Sequence, residues 1–189
     1  MQRDQILKVL SQNVSAPRLA HCIRVEDTAW QLADRFQVFQ ELVTPAALLH
    51  DLCREYSIDS LLQLAGNFGI VIDEIERHEP LLLHGIVAAR IVQTELGIAH
   101  PDVLEAISFH ITGAPGISPL ARLIFVADFI EPGRSFEAAS LLRSKVWLVE
   151  PEELLLDVYH QTLNYLIKKN FLIHPRTING RNELVWKGV

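Results

Sequence analysis

Apolar positions recur along the chain at intervals of three and four, and this period predicts helices over most of its length. Ile6, Leu7 and Leu10 mark a short amphipathic helix over residues 4–12. Ser15 is placed to cap a second helix, with Pro17 in its first turn; it runs to about Phe36, with Val25, Ala29, Leu32 and Phe36 on one line. Thr44-Pro45 predicts the cap and first residue of a third. Its run Ala46-Ala47-Leu48-Leu49 is apolar on most faces and belongs in a core. Ser57 or Asp59 opens a helix to Leu64 that Gly66 and Gly69 break, while Ile70-Val71-Ile72 reads either as a short strand or as part of its helical surroundings. Pro80 opens a helix with His84, Val87, Ala88, Ile91 and Val92 on one face, and Gly97 stops it. Pro101 opens another, in which Val103, Ala106 and Ile107 lead to His110. A turn-forming loop follows, and Ser118-Pro119 then starts a helix with Ala121, Ile124, Phe125 and Asp128 on one face, ended by Pro132-Gly133. Residues 137–169 predict one or two more helices, and the tail from Phe171 is less regular. Strand signals are sparse and no linker divides the chain, so the expectation is an all-α single domain over residues 1–189.

The polar positions inside this pattern carry the chemistry. The helix of residues 46–49 ends in His50 and Asp51, with Arg54 one turn on. Burying a charge beside such a run is costly unless it is paired, and a metal ion pairs it, because imidazole nitrogen and carboxylate oxygen both ligate first-row metals. His21 lies one turn before Val25 on the inward line of its helix, and His84, His110 and Asp128 lie on inward faces of three others. Taken singly, each histidine reads as a satisfied core residue. Together they would need several independent hydrogen-bond partners, whereas one or two ions satisfy them all. His78, His100 and His160 do not fit the pattern and read as surface residues.

Composition narrows the partners. Apolar residues form 49% of the chain, enough for a sizeable core. The formal charge is −6, from 17 Lys and Arg against 23 Asp and Glu, which argues against a nucleic-acid polymer but not against a small phosphorylated ligand. No apolar run is long enough to cross a bilayer, and the first residues lack a signal peptide's apolar stretch, so the expected location is the cytoplasm. Cys22 and Cys53 are too few for a disulfide framework and read as buried thiols, with a thiolate ligand as the alternative. Trp147, Leu148 and Val149 read either as a homodimer interface or as core.

The order His, His-Asp, His, His, Asp resembles the HD-domain metallophosphohydrolases. The segments HITGAPGIS, ADFIEPGR and LIHP, followed by Thr177 and Asn182, are similar to the YqeK-type branch, the symmetrical dinucleoside tetraphosphatases of bacteria. The resemblance covers about residues 18–182. It departs at Arg54, where the family usually has Lys; at Ile111 and Ala114, where it has Thr and Arg; and at Gly180-Arg181, where it tends to have Ala-Tyr.

The resemblance implies a helical bundle with a metal site in its core, spanning about residues 18–134, and C-terminal helices and tail over 135–189. It implies that His21, His50, Asp51 and Asp128 form one metal site, with iron as the metal. His84 and His110 either complete a second site bridged by Asp51 or contact the ligand phosphate. It implies hydrolysis of diadenosine tetraphosphate (Ap4A) into two ADP by metal-bound hydroxide, with His50, Asp51 and Arg54 catalytic. Arg18, Arg54 and Arg134 would hold phosphate through bidentate guanidinium contacts, and His174, Arg176 and Thr177 would touch the nucleotide. The alternatives are an HD-type enzyme for another phosphate ester, and a nucleotide-binding regulator without turnover.

Overall fold

The computed structural model describes all 189 residues, and every regular element is helical. The helices are α1 (Arg3–Asn13), α2 (Ala16–Leu32), α3 (Gln40–Leu49), α4 (Ile58–Asn67), α5 (Glu74–His78), α6 (Leu83–Thr94), α7 (Pro101–Phe109), α8 (Pro119–Ile130), α9 (Glu137–Lys145), α10 (Pro151–Lys168) and α11 (Pro175–Trp186). A 3-10 turn, Pro80–Leu82, leads into α6. Helices α2, α7 and α8 pack around α3, whose Ala46, Ala47, Leu48 and Leu49 are wholly buried, and α6 packs on α7 and α4. Helix α1 closes one side against α2 and α3, and α9, α10 and α11 lie over α8 and one another. One continuous apolar core runs from Ile6 to Leu184.

Caps set most of the boundaries. The hydroxyls of Ser15, Ser57 and Ser118 accept from the backbone N–H of Arg18, Ser60 and Ala121, so three predicted starts hold. Three expectations need correction. Helix α3 begins at Gln40, and Pro45 lies inside it; the Thr44 hydroxyl donates to Glu26 instead of capping. Helix α2 stops at Leu32, and the chain turns through Gln37, which has φ 56°. The tail is helical: the His174 ring accepts from the Arg176 N–H and caps α11, with Pro175 in the first turn. The Ile70-Val71-Ile72 run is neither strand nor helix, and an Asp73–Glu76 capping box starts α5 after it. Trp147 and Leu148 are 60% and 80% exposed, so they are not core; Trp147 stands 5.6 Å from the Arg35 guanidinium. No helix is long and apolar enough to cross a membrane.

Candidate metal centre

The bundle brings its polar inward residues to one place. His21 comes from α2, His84 from the first turn of α6, and Asp128 from the last turn of α8. His50 and His110 are the C-cap residues of α3 and α7, and Asp51 begins the turn after His50. Two helix C-termini therefore face the centre, where their dipoles favour positive charge. Glu55, in the same turn as Asp51, accepts from the Ser15 N–H at 2.6 Å and from its hydroxyl at 2.7 Å, tying the start of α2 to the His-Asp turn.

Asp51 is the centre of the cluster. Its Oδ2 lies 3.4 Å from His50 Nε2 and 3.6 Å from His21 Nε2. Its Oδ1 lies 3.1 Å from His84 Nε2 and 3.4 Å from His110 Nε2. Asp128 Oδ1 extends the first group, 3.0 Å from His21 Nε2 and 4.0 Å from His50 Nε2. All these residues are buried except Asp128, which is part-exposed.

Tautomers test whether a cation fits. His50, His84 and His110 each turn Nδ1 to the backbone carbonyl three residues earlier, at 2.6, 2.6 and 2.8 Å. A carbonyl only accepts, so in the neutral ring each Nδ1 carries the proton and each Nε2 presents a bare lone pair to the cluster. Lone pairs on His84 and His110 then face each other at 3.2 Å, with a carboxylate oxygen beside both. The Nε2 atoms of His21 and His50 have no hydrogen-bond partner although they are buried. Converging acceptors of this kind fit divalent ions, one in each group, with Asp51 shared between them.

Charge follows the same logic. Burial alone raises the Asp51 carboxyl, but His50 in its protonated form, and hydrogen bonds that His110 and His84 donate once protonated, outweigh it and hold Asp51 well below the usual carboxylate range. Burial likewise raises Asp128, and the close His21 imidazole and the Arg134 charge bring it below that range. Burial and the neighbouring His50 and His84 push His110 down, toward the neutral form that ligation needs. Burial pushes both thiols up, Cys53 to about 12, and neither Cys22 nor Cys53 brings its sulfur to the converging ligand atoms, so the thiolate reading drops out.

A family model described as HD domain matches residues 18–133. The chain belongs to the HD domain family. Within it, the chain is 32% identical to the Bacillus subtilis protein named "Bis(5'-nucleosyl)-tetraphosphatase, symmetrical", over 98% of each chain. It is 30% identical to the Halalkalibacterium halodurans protein of that name, again over 98% of each. A crystal structure of a Clostridium acetobutylicum protein, described as a predicted HD superfamily hydrolase involved in NAD metabolism, superposes with a TM-score of 0.93. That protein is 32% identical, and the alignment covers 99% of this chain and 98% of the other.

Around the HD centre the predicted cations take different positions. Arg18 Nη1 donates to Asp51 Oδ2 at 2.8 Å, and Arg134 Nη2 to Asp128 Oδ1 at 2.5 Å. Arg54 is half-buried and forms no ion pair. All three line a cavity of about 200 Å³ over the centre. That cavity opens into one of about 820 Å³, with Arg54, His84, Asp128 and Arg134 on both walls. His174 and Thr177 line the larger cavity, whereas Arg176 turns away to Glu76, at 2.9 Å, and packs over Phe109.

His174, Asp73 and Glu76 form a third group of possible ligands, but of the opposite tautomer. His174 Nδ1 accepts from the Arg176 N–H, which leaves the proton on Nε2, 2.8 Å from Asp73 Oδ2. This group is a strap holding α11 to α5. Sequence reasoning missed Glu131, which is buried within 3.1 Å of His21 Nδ1. A carboxylate one turn beyond Asp128, just before the helix-ending Pro132-Gly133, was the available signal.

Proposed function

We propose that this chain is a metal-dependent hydrolase that splits diadenosine tetraphosphate symmetrically into two ADP. The observation that carries the reading is the shared Asp51 carboxylate, with one oxygen toward each histidine pair, at the floor of a cavity ringed by three arginines. Relatives named for this activity align with the chain over nearly its full length.

His21, His50, Asp51 and Asp128 would hold one ion, and His84 and His110, with Asp51 shared, the other. The ions, when bound, supply Lewis acidity for water and for phosphoryl oxygen. The rest falls to the chain's own groups. Carbonyls of Ala47, Leu81 and Ile107 keep three imidazoles in the ligating tautomer. Arg54, unpaired and on both walls, meets the phosphate chain first. Arg18 and Arg134, at the acid ligands, take the phosphates flanking the scissile bond through their planar forks. Symmetrical cleavage needs a nucleoside diphosphate on each side of the centre. The larger cavity, walled by Phe129, Phe136, Tyr165 and Phe171, has the size and aromatic lining for a nucleoside half, with His174 and Thr177 at its edge.

Iron is the ion we assign, because four imidazoles and two carboxylates suit it, and manganese and cobalt suit the same donors. Two buried, protonated thiols without a disulfide support a reducing compartment, the cytoplasm. The test is incubation with diadenosine tetraphosphate and divalent iron, manganese or cobalt, followed by chromatography. ADP as sole product is expected, and His50→Ala should abolish it. ATP plus AMP, or full turnover by metal-free Asp51→Ala, would overturn the reading.

A further inference from the structure

Three of the four centre histidines are backed by a neutral backbone carbonyl, and the fourth is not. His21 Nδ1 meets the carboxylate of Glu131, whose Oε1 lies 3.1 Å away. Glu131 is 1% exposed and has no part in the chemistry derived above.

Its position is built from several directions. Arg24 Nε donates to Oε2 at 2.5 Å, and the Gly133 N–H donates to the same oxygen at 2.6 Å. Oε1 is thereby turned to His21, with a longer contact of 3.4 Å from Arg24 Nη2. The backbone beneath is pinned too: Arg143, from α9, donates to the carbonyls of Ile130 and Glu131 at 3.0 Å each. These carbonyls are among those a helix end leaves without intrahelical partners. A Cβ at residue 133 would collide with the Arg24 guanidinium, so glycine there leaves room for the contact.

A carboxylate and a carbonyl are not equivalent backing groups. Both fix the ring and its tautomer, but the full negative charge raises the basicity of the far nitrogen further. His21 faces the ion position that also has both carboxylates, Asp51 Oδ2 and Asp128 Oδ1. The other position has two carbonyl-backed histidines and the shared Asp51 Oδ1. We infer that Glu131 is a positioning residue that makes the His21–His50–Asp51–Asp128 position the tighter of two unequal cation positions, so that it fills first. This rests on the reading of the cluster as a two-ion centre.

The test is stepwise titration of the metal-free chain with cobalt(II), followed by visible absorption and calorimetry. Wild type should take up two equivalents in two resolved steps. Glu131→Gln keeps the size and removes the charge, leaving one amide oxygen for the two sides that Oε1 and Oε2 serve in the wild type. It should weaken the first step by about 10- to 100-fold and leave the second step unchanged, while the metal-free melting temperature falls because Arg24 loses its charged partner. Equal weakening of both steps, or an unchanged first step, overturns the inference. Should that variant not fold, the order of filling is read directly. His84→Ala should keep the tight step, and His21→Ala should lose it and keep the weak one; the reverse assignment overturns the inference. A wild-type chain that takes up no cobalt would instead overturn the reading of the centre itself.

Discussion

Asp51 offers one oxygen to each pair of histidines, so no other side chain serves both halves of the cluster. Arg54 is singular in another way. Arg18 and Arg134 are paired with Asp51 and Asp128, while Arg54 faces both cavities with its guanidinium uncommitted. Arg54→Ala should therefore lower kcat/KM for the dinucleotide by about 10- to 100-fold, the size of a lost hydrogen bond to a charged group. Metal stoichiometry should stay at the wild-type value. Arg54→Lys should recover only part of the loss, since a point charge lacks the bidentate fork. Steady-state kinetics beside metal analysis would check this, and an unchanged kcat/KM would remove Arg54 from phosphate binding. Asp51, Asp128 and the four histidines were legible in the sequence for a common reason: each stands on or at the end of an apolar stripe, where a polar group demands an explanation; the arginines gained a role only through the resemblance to the HD-domain enzymes. Glu131 was not legible, because a glutamate at a helix end before Pro-Gly looks solvated. Its burial depends on Arg24 from α2 and Arg143 from α9, neither near it in the chain.

Helix boundaries were legible wherever a serine hydroxyl caps its own helix, as at Ser15, Ser57 and Ser118. They were not where a distant contact decides. Thr44-Pro45 has the form of a helix start, yet Val43 is wholly buried and Thr44 serves Glu26, so α3 extends back to Gln40. Helix α11 has a weak helical composition, with Thr, Asn and Gly in its first half. What holds it is tertiary: the His174 strap, the Arg176–Glu76 pair, and Glu183 accepting from the Gly116 N–H at 2.5 Å. It also explains one departure from the family pattern. Tyr159, from α10, is fully buried, and a Cβ at either Gly113 or Gly180 would overlap its hydroxyl. Glycine at residue 180, where the family tends to have alanine, gives the tyrosine its space. Gly180→Ala should cost about 1–3 kcal/mol by overpacking, measured by urea denaturation. The double variant Gly180→Ala with Tyr159→Phe should recover part of it, because the hydroxyl is the atom that comes nearest, with the ring carbon that bears it next. An additive double variant would place the cause elsewhere.

At the scale of the whole molecule, the centre joins what the core alone leaves separate. Its ligands come from α2, the turn after α3, α6, α7 and α8, so ions bound there cross-link five segments of one bundle. Ions that bind only the folded chain stabilise it by mass action, about 2.7 kcal/mol at a hundred times Kd. For a chain of this size that is a rise in melting temperature of roughly 5–10 °C. The sign with pH follows from the donors. Protons compete with the ion for four imidazoles whose ordinary pKa is about 6.5, so the increment should be full at pH 7.5 and fade as pH falls through about 6 to 5. In the metal-free chain two histidines oppose one another over that window: His50, raised by Asp51 against its burial, adds stability as it protonates, and His110, lowered by burial, removes it. Asp51 and Asp128 are held below the usual carboxylate range. Their contribution to stability is therefore present above the unfolded value of about 3.9 and is lost only as pH falls through the depressed folded values. Melting curves with manganese(II) and with chelator, at half-unit steps from pH 7.5 to 4, would separate the two effects. A manganese increment that persists unchanged at pH 5 would mean that the stabilising ion sits on oxygen ligands alone, and not among these histidines.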